Sequence, residues 1–275
     1  MHNSYLSEGL VATMSETRGL AIYDLDTRSC VVLPRTIRGT SCCLVPQRDF
    51  LVVASDVTIR LVDMNTWEEQ TRASNNHMVT DCLCSPGGTV LYTRRPYGID
   101  IWDISVGLQH MQSMKPNVGI ISRTALNAAG TAMVVIGTSG CVEIWDIVHQ
   151  IARQRFNHPH TNYIYACVLS DNYVFTACKT GQLYRTDLST LEKRVLGETP
   201  QAIYSLAVSR GLCVYLTQTT VTVIDKHTNE TVYELSDDKT NFIHCAFTPN
   251  EQYLVIVPMA GPILVWSVAG RLLHM

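Results

Sequence analysis

The chain has 275 residues and a net charge of −3 with no dominant basic run, which argues against a bulk electrostatic footprint for nucleic acid. Hydrophobic residues make up 46% and charged residues only 16%, enough to bury a large core behind a surface poor in solvating groups, as suits a module that rests against other protein. No apolar run approaches ~20 residues, so no membrane-spanning helix is expected, and the polar start Met1-His2-Asn3-Ser4 reads as the approach to a first structural unit, not as a secretion signal.

Along the chain, a short β-branched or aromatic run ends seven times in the same way, at Asp24, Asp63, Asp103, Asp146, Asp187, Asp225 and Ser267. The spacings are 39, 40, 43, 41, 38 and 42, a repeat near 40 residues in which one supersecondary unit is copied. Each period carries the same order. Residues 79–84 read as a strand, Ser85-Pro86-Gly87-Gly88 as a turn, Val90-Leu91-Tyr92 as a second strand, and Gly98 to Asp103 as a third, with a fourth near Leu108 to Met111. Later copies break at Ser170-Asp171-Asn172, Ser209-Arg210-Gly211 and Thr248-Pro249-Asn250. Tight turns make the four strands antiparallel neighbours. One such sheet cannot bury both faces alone, whereas seven arranged radially bury each other's. The expected fold is therefore all-β, a seven-bladed β-propeller of four-stranded antiparallel blades filling residues 1–275. Residues 4–7 serve as the inner strand of blade one and Arg271 to His274 as the outer strand of blade seven, so no strand is shared between the chain ends.

With these residues the chain resembles the WD-repeat β-propeller family over essentially its whole length. Trp102-Asp103 and Trp145-Asp146 carry the family dipeptide and Trp266-Ser267 carries half of it; His160 to Ser170 fits the histidine-led inner strand. The tryptophan position elsewhere holds Tyr23, Val62, Thr186 and Ile224, and the aspartate of the second-to-third-strand turn survives as Asp56. The resemblance thus implies an Asp–His–Ser/Thr–Trp relay that is incomplete in every blade, leaving apolar packing between blades to hold the fold. A chain cut from a longer NACHT-and-WD-repeat regulatory protein is an alternative.

Chemistry finds little footing. The seven strand-ending positions are distributed one per blade, too dispersed for paired acid–base catalysis, and each Asp is expected to accept backbone N–H bonds in the turn that follows. His149, His158 and His160 lack further converging ligands, so no metal is expected. Gly137-Thr138-Ser139-Gly140 has no Lys and opens no helix, so no phosphate-loop cofactor is expected. The ten scattered cysteines contain no C-x-x-C and read as small buried hydrophobes in a reducing compartment, cytoplasmic or nuclear.

The reading that remains is a non-catalytic interaction scaffold. The loops that lead into the first strands, and those between second and third strands, gather nine basic and five acidic residues, a balance of about +4 against −3 for the whole chain. Such a face suits a peptide or partner domain, an acidic one in particular. Candidate contacts are Arg35, Arg38, Arg94, Arg95, Tyr97, Lys115, His160, Tyr163 and Lys179, with the Arg94-Arg95-Pro96-Tyr97 loop the most distinctive. A propeller enzyme with an unrecognised channel site stays open as an alternative, as does the regulatory sensor of a larger switch protein.

Overall fold

The computed structural model describes residues 3–7, 9–15, 19–33, 39–75, 77–158, 163–170, 172–248, 250–268 and 271–274, and among these every regular element is a strand. Seven four-stranded antiparallel sheets follow one another, each built from four consecutive strands, as the blades of a seven-bladed β-propeller. The third strands end at Asp24, Asp63, Asp103, Asp146, Asp187, Asp225 and Ser267, the positions read from the repeat. The strand Asn3–Ser7 pairs with Leu10–Ser15 and the strand Arg271–His274 with Leu264–Ser267, so no sheet draws on both chain ends. The chain divides into two compact units, Met1–Pro116 with blades one to three and Asn117–Met275 with blades four to seven.

Second strands such as Phe50–Ser55, Ala132–Gly137 and Tyr173–Cys178 are buried along most of their length. Their near-continuous apolar sequence follows from burial on both faces, where a one-sided sheet would alternate. Each unit has apolar clusters sandwiched between consecutive blades. Ala12, Leu20 and Ile22 of blade one meet Leu44, Leu51 and Val53 of blade two. Phe175, Leu183 and Leu196 of blade five meet Ile203, Leu206 and Cys213 of blade six. At about 1.5–3 kcal/mol for each large side chain removed from water, these clusters supply the main stabilisation. Polar pins supplement them: the Ser41 hydroxyl accepts the Cys82 N–H at 3.2 Å, and Ser205 accepts the Cys245 N–H at 3.0 Å. The first strand of blade six starts at Ser205, and the Ile203 N–H before it is taken by the Cys178 carbonyl of blade five. Most cysteines are buried as expected, with Cys30 exposed and Cys84 and Cys167 half-buried; burial pushes the Cys245 thiol up to about 12.

The third-to-fourth-strand turns share one design in blades one to six. The Asp ending the third strand accepts N–H bonds two and three residues on: Asp24 from Asp26 and Thr27, Asp63 from Asn65 and Thr66, Asp187 from Ser189 and Thr190, Asp225 from His227 and Thr228. Asp103 takes both the N–H and the hydroxyl of Ser105, and Asp146 takes the N–H and the ring of His149. This is the Asx-type turn that the strand endings predict. Four residues after each Asp the chain turns left-handed, at Arg28, Trp67, Gly107, Gln150, Leu191 and Asn229. Trp67 packs with Met64 on the cluster between blades one and two. In blades two to six the fourth strand then bulges by one residue against the third, which twists the exposed edge away from foreign pairing.

These turn bonds hold Asp24, Asp103, Asp146, Asp187 and Asp225 below the usual carboxylate range; the leading cause is the bond from Thr27, Ser105, His149, Ser189 and Thr228 in turn. A carboxyl with a depressed folded value contributes stability that is complete above its unfolded value of about 3.9 and is lost as pH falls through the folded one. Urea stability is therefore expected to be level from neutrality to about pH 5 and to fall below about pH 4. Replacing Asp187 and Asp225 together with Asn should flatten that acid limb; an unchanged limb would assign it to other carboxyls.

Candidate functional site

At the upper end of each blade lie the loop into its first strand and the turn between its second and third strands. Arg94 and Arg95 are the last residues of the strand Val90–Arg95, not loop residues as the sequence suggests. Successive strand residues point to opposite faces. Each guanidinium accordingly finds its own acid: Arg94 lies 3.4 Å from Asp81 with its side chain 10% exposed, and Arg95 lies 3.3 Å from Asp100 with its side chain 14% exposed. The structure thus places both arginines inside the blade as charge partners. Gly98 permits this, since a Cβ there would stand 2.8 Å from the Arg95 guanidinium carbon. Tyr97 projects from the same turn at 64% exposure, and Lys115, just after the strand Gln109–Met114, is also exposed.

In blade five, Tyr163 is 61% exposed, and its carbonyl accepts the N–H of exposed Lys179 at 3.2 Å. The structure therefore brings these two candidates together, an aromatic and a cation at one blade end. Two residues on from Tyr163, in the strand Ile164–Ser170, Tyr165 stacks on Tyr204 of the link into blade six, with ring centroids 5.4 Å apart, and Arg123 donates to the Tyr165 carbonyl. Arg35, Arg38 and His160 lie outside the described residues.

Sequence reasoning missed the acids at the centre of the two Trp-Asp blades. Asp100, two residues before Trp102, has a side chain only 4% exposed. It accepts Asn75 Nδ2 at 3.0 Å, Ser113 Oγ at 2.6 Å and Arg95 Nε at 3.3 Å. Glu143, two before Trp145, accepts the indole Nε1 at 2.9 Å and the Asn117 N–H at 3.2 Å. The signal was present: a charge amid the apolar runs Asp100-Ile101-Trp102 and Glu143-Ile144-Trp145 must be paired if the strand is buried. Ser113, His110 and Asp100 do not form a nucleophilic triad. His110 Nε2 faces both Ser113, at 3.3 Å, and Asp100, at 3.9 Å, so one nitrogen would have to serve both partners. Among the described residues no group of three His, Cys, Asp or Glu side chains could hold a metal ion, and no helix is long and apolar enough to cross a membrane.

Among the described residues, two blades hold contacts of the kind that the resemblance implies. Trp102 Nε1 donates to Thr93 Oγ1 at 2.9 Å in blade three. In blade five the equivalent Thr176 meets the buried His158 ring, which also packs edge-on against Tyr184. The histidine of this contact is His158, two residues before the expected His160, held by its own N–H on the Gly140 carbonyl. Thr186 stands where Trp102 stands in blade three, fully buried, and its hydroxyl has no partner among the described residues. An unmade buried hydrogen bond costs about 1–3 kcal/mol. Thr186→Val keeps the shape and is expected to raise urea stability by about 1 kcal/mol; a loss of stability would mean that the hydroxyl is satisfied by water.

No protein-family model matches the chain, and no curated protein matches it.

Proposed function

We propose that the chain is a non-catalytic interaction module that binds a peptide or partner domain through the upper ends of its blades. The observation that carries this reading is the Tyr163–Lys179 pair: two exposed side chains of types that suit an interface, fixed by a backbone bond to a blade whose second strand is buried. A rigid blade presents such residues at little ordering cost, so contact energy is retained as affinity. Exposed Tyr97 and Lys115 give blade three a comparable end. Membership of the WD-repeat family is supported by the Trp102–Thr93 bond and by the Asp-capped turns. Buried thiols used as small apolar groups suit a cytoplasmic or nuclear setting.

Affinity capture from cytosol tests the proposal. The double variant Tyr163→Ala/Lys179→Glu, with its fold checked by circular dichroism, is expected to lose partners that the parent chain retains, at a cost above about tenfold in affinity. Equal recovery by both proteins would remove this blade end from the interface.

A further inference from the structure

A shallow, open pocket of about 510 Å3 lies at the upper end of blade two. Its walls are Gly39 and Thr40 from the loop into the first strand, Ser55, Asp56 and Thr58 from the second-to-third-strand turn, and two arginines, Arg60 and Arg72. The bulge at Gln70 sets the register so that Arg60 on the third strand lies directly opposite Arg72 on the fourth. Like charges directly opposite across a sheet repel each other. Glu69 offsets part of this, accepting Arg72 Nε and Nη2 at 2.8 Å each. Arg60 is more enclosed: burial works most against its protonated form, Glu69 supports it, and the charge of Arg72 works against it to a smaller extent. A guanidinium does not deprotonate in a protein, so in the folded chain the two cations share the single Glu69 carboxylate. An oxyanion beside the two arginines would offset the second positive charge, as guanidinium N–H groups suit carboxylate or phosphoryl oxygens; Arg72 would meet it through Nη1, because its Nε–Nη2 edge is already on Glu69.

The remaining wall fixes what bears the oxyanion. Ser55 and Thr58 add hydroxyl donors. Asp56, exposed and left-handed with φ of 46°, sets a carboxylate acceptor among them that would repel a bare dianion but accept an N–H. A ligand matching both features has an oxyanion close to an amide N–H, as an acidic residue in a peptide does. The wall is tight behind it, since a Cβ on Gly39 would stand 2.4 Å from the Ala54 carbonyl.

We propose that the blade-two pocket is the acidic-residue subsite of the interaction module, taking a carboxylate or phosphoryl side chain on Arg60 and Arg72 and the adjoining backbone N–H on Asp56. This rests on the interaction-module reading and gives the partner its chemistry. The full 275-residue chain is titrated with three fluorescent Gly/Ser-flanked peptides that differ at one residue: glutamate, phosphoserine or serine. Either acidic peptide should bind at least about tenfold more tightly than the serine peptide, and both Arg60→Gln and Arg72→Gln should remove the difference. Arg72 is exposed, so its variant tests the site without risk to the fold. Arg194→Gln, an exposed arginine of blade five, should change nothing. A preference for phosphoserine names a phosphoryl ligand, and parity names a carboxylate. Equal binding of all three peptides, or an acidic preference that survives in either pocket variant, overturns the proposal. Cytosolic capture by the parent chain separates the two failures: partners retained alongside indifferent peptides sink the subsite alone, whereas selective acidic peptides without any partner sink the interaction module and leave the subsite standing.

Discussion

Asp100→Ala is expected to destabilise the chain by about 3–5 kcal/mol, the cost of breaking a buried ion pair by removing one partner. The carboxylate is enclosed and takes Arg95, Asn75 and Ser113 at once. Removing it leaves the Arg95 guanidinium in a site where its side chain is 14% exposed, with the 7%-exposed Asn75 amide beside it and no acceptor for either. Water cannot repair this cheaply, because both groups would need to leave the blade to be solvated. Asp103→Ala, three residues further along the strand, removes a turn cap that water can replace and should cost far less. The double variant Asp100→Ala/Arg95→Met should recover part of the loss, since a paired removal leaves no stranded charge. Urea unfolding of the four proteins measures this directly. If Asp100→Ala falls within about 1 kcal/mol of the parent, the Asp100 network contributes no more than a surface pair.

The same residues show where sequence reading succeeds and where it stops. Strand endings and turn caps were legible because they are local: an Asp at the end of an apolar run accepts the next N–H groups whatever surrounds it. The apolar runs of the second strands were legible because burial on both faces leaves no room for alternation. Arg94 and Arg95 were read as a free pair because a sequence gives a side chain's position but not its reach; both strand faces offered an acid, at Asp81 and Asp100. The pairing of Arg60 with Arg72 was hidden for another reason. It depends on the extra residue in the fourth strand: without it, Arg60 would stand opposite Thr71. His158 was passed over because the family resemblance pointed to His160; the contact of His158 with Thr176 depends on a fold that brings residues of different strands together.

Gly181→Ala should be the most damaging glycine replacement in the turn that presents Lys179. The residue has φ of +80°, and its N–H bonds back to the Cys178 carbonyl at 3.1 Å to close the turn. A left-handed alanine costs about 1–2 kcal/mol before any contact is counted. Its Cβ would stand 1.9 Å from the Thr199 carbonyl oxygen and 2.4 Å from that of Gln201. Both are backbone atoms of the link into blade six, and Thr199 is itself tied to the Gly181 carbonyl at 2.9 Å. Neither can turn aside as a flexible side chain would, so the link must shift and strain adds roughly 1–3 kcal/mol. A total near 3 kcal/mol is expected in urea unfolding. Gly211→Ala is the control: its Cβ meets nothing within 4 Å and its backbone is not left-handed, so stability should hold or rise by up to about 1 kcal/mol. The consequence reaches function, because the carbonyl that closes this turn also receives the Ile203 N–H of blade six at 3.2 Å. A displaced turn therefore moves Lys179 away from Tyr163, and partner capture should fall even at temperatures where the chain stays folded. Normal capture by a destabilised Gly181→Ala protein would mean that the Tyr163–Lys179 pair need not be held rigid to bind.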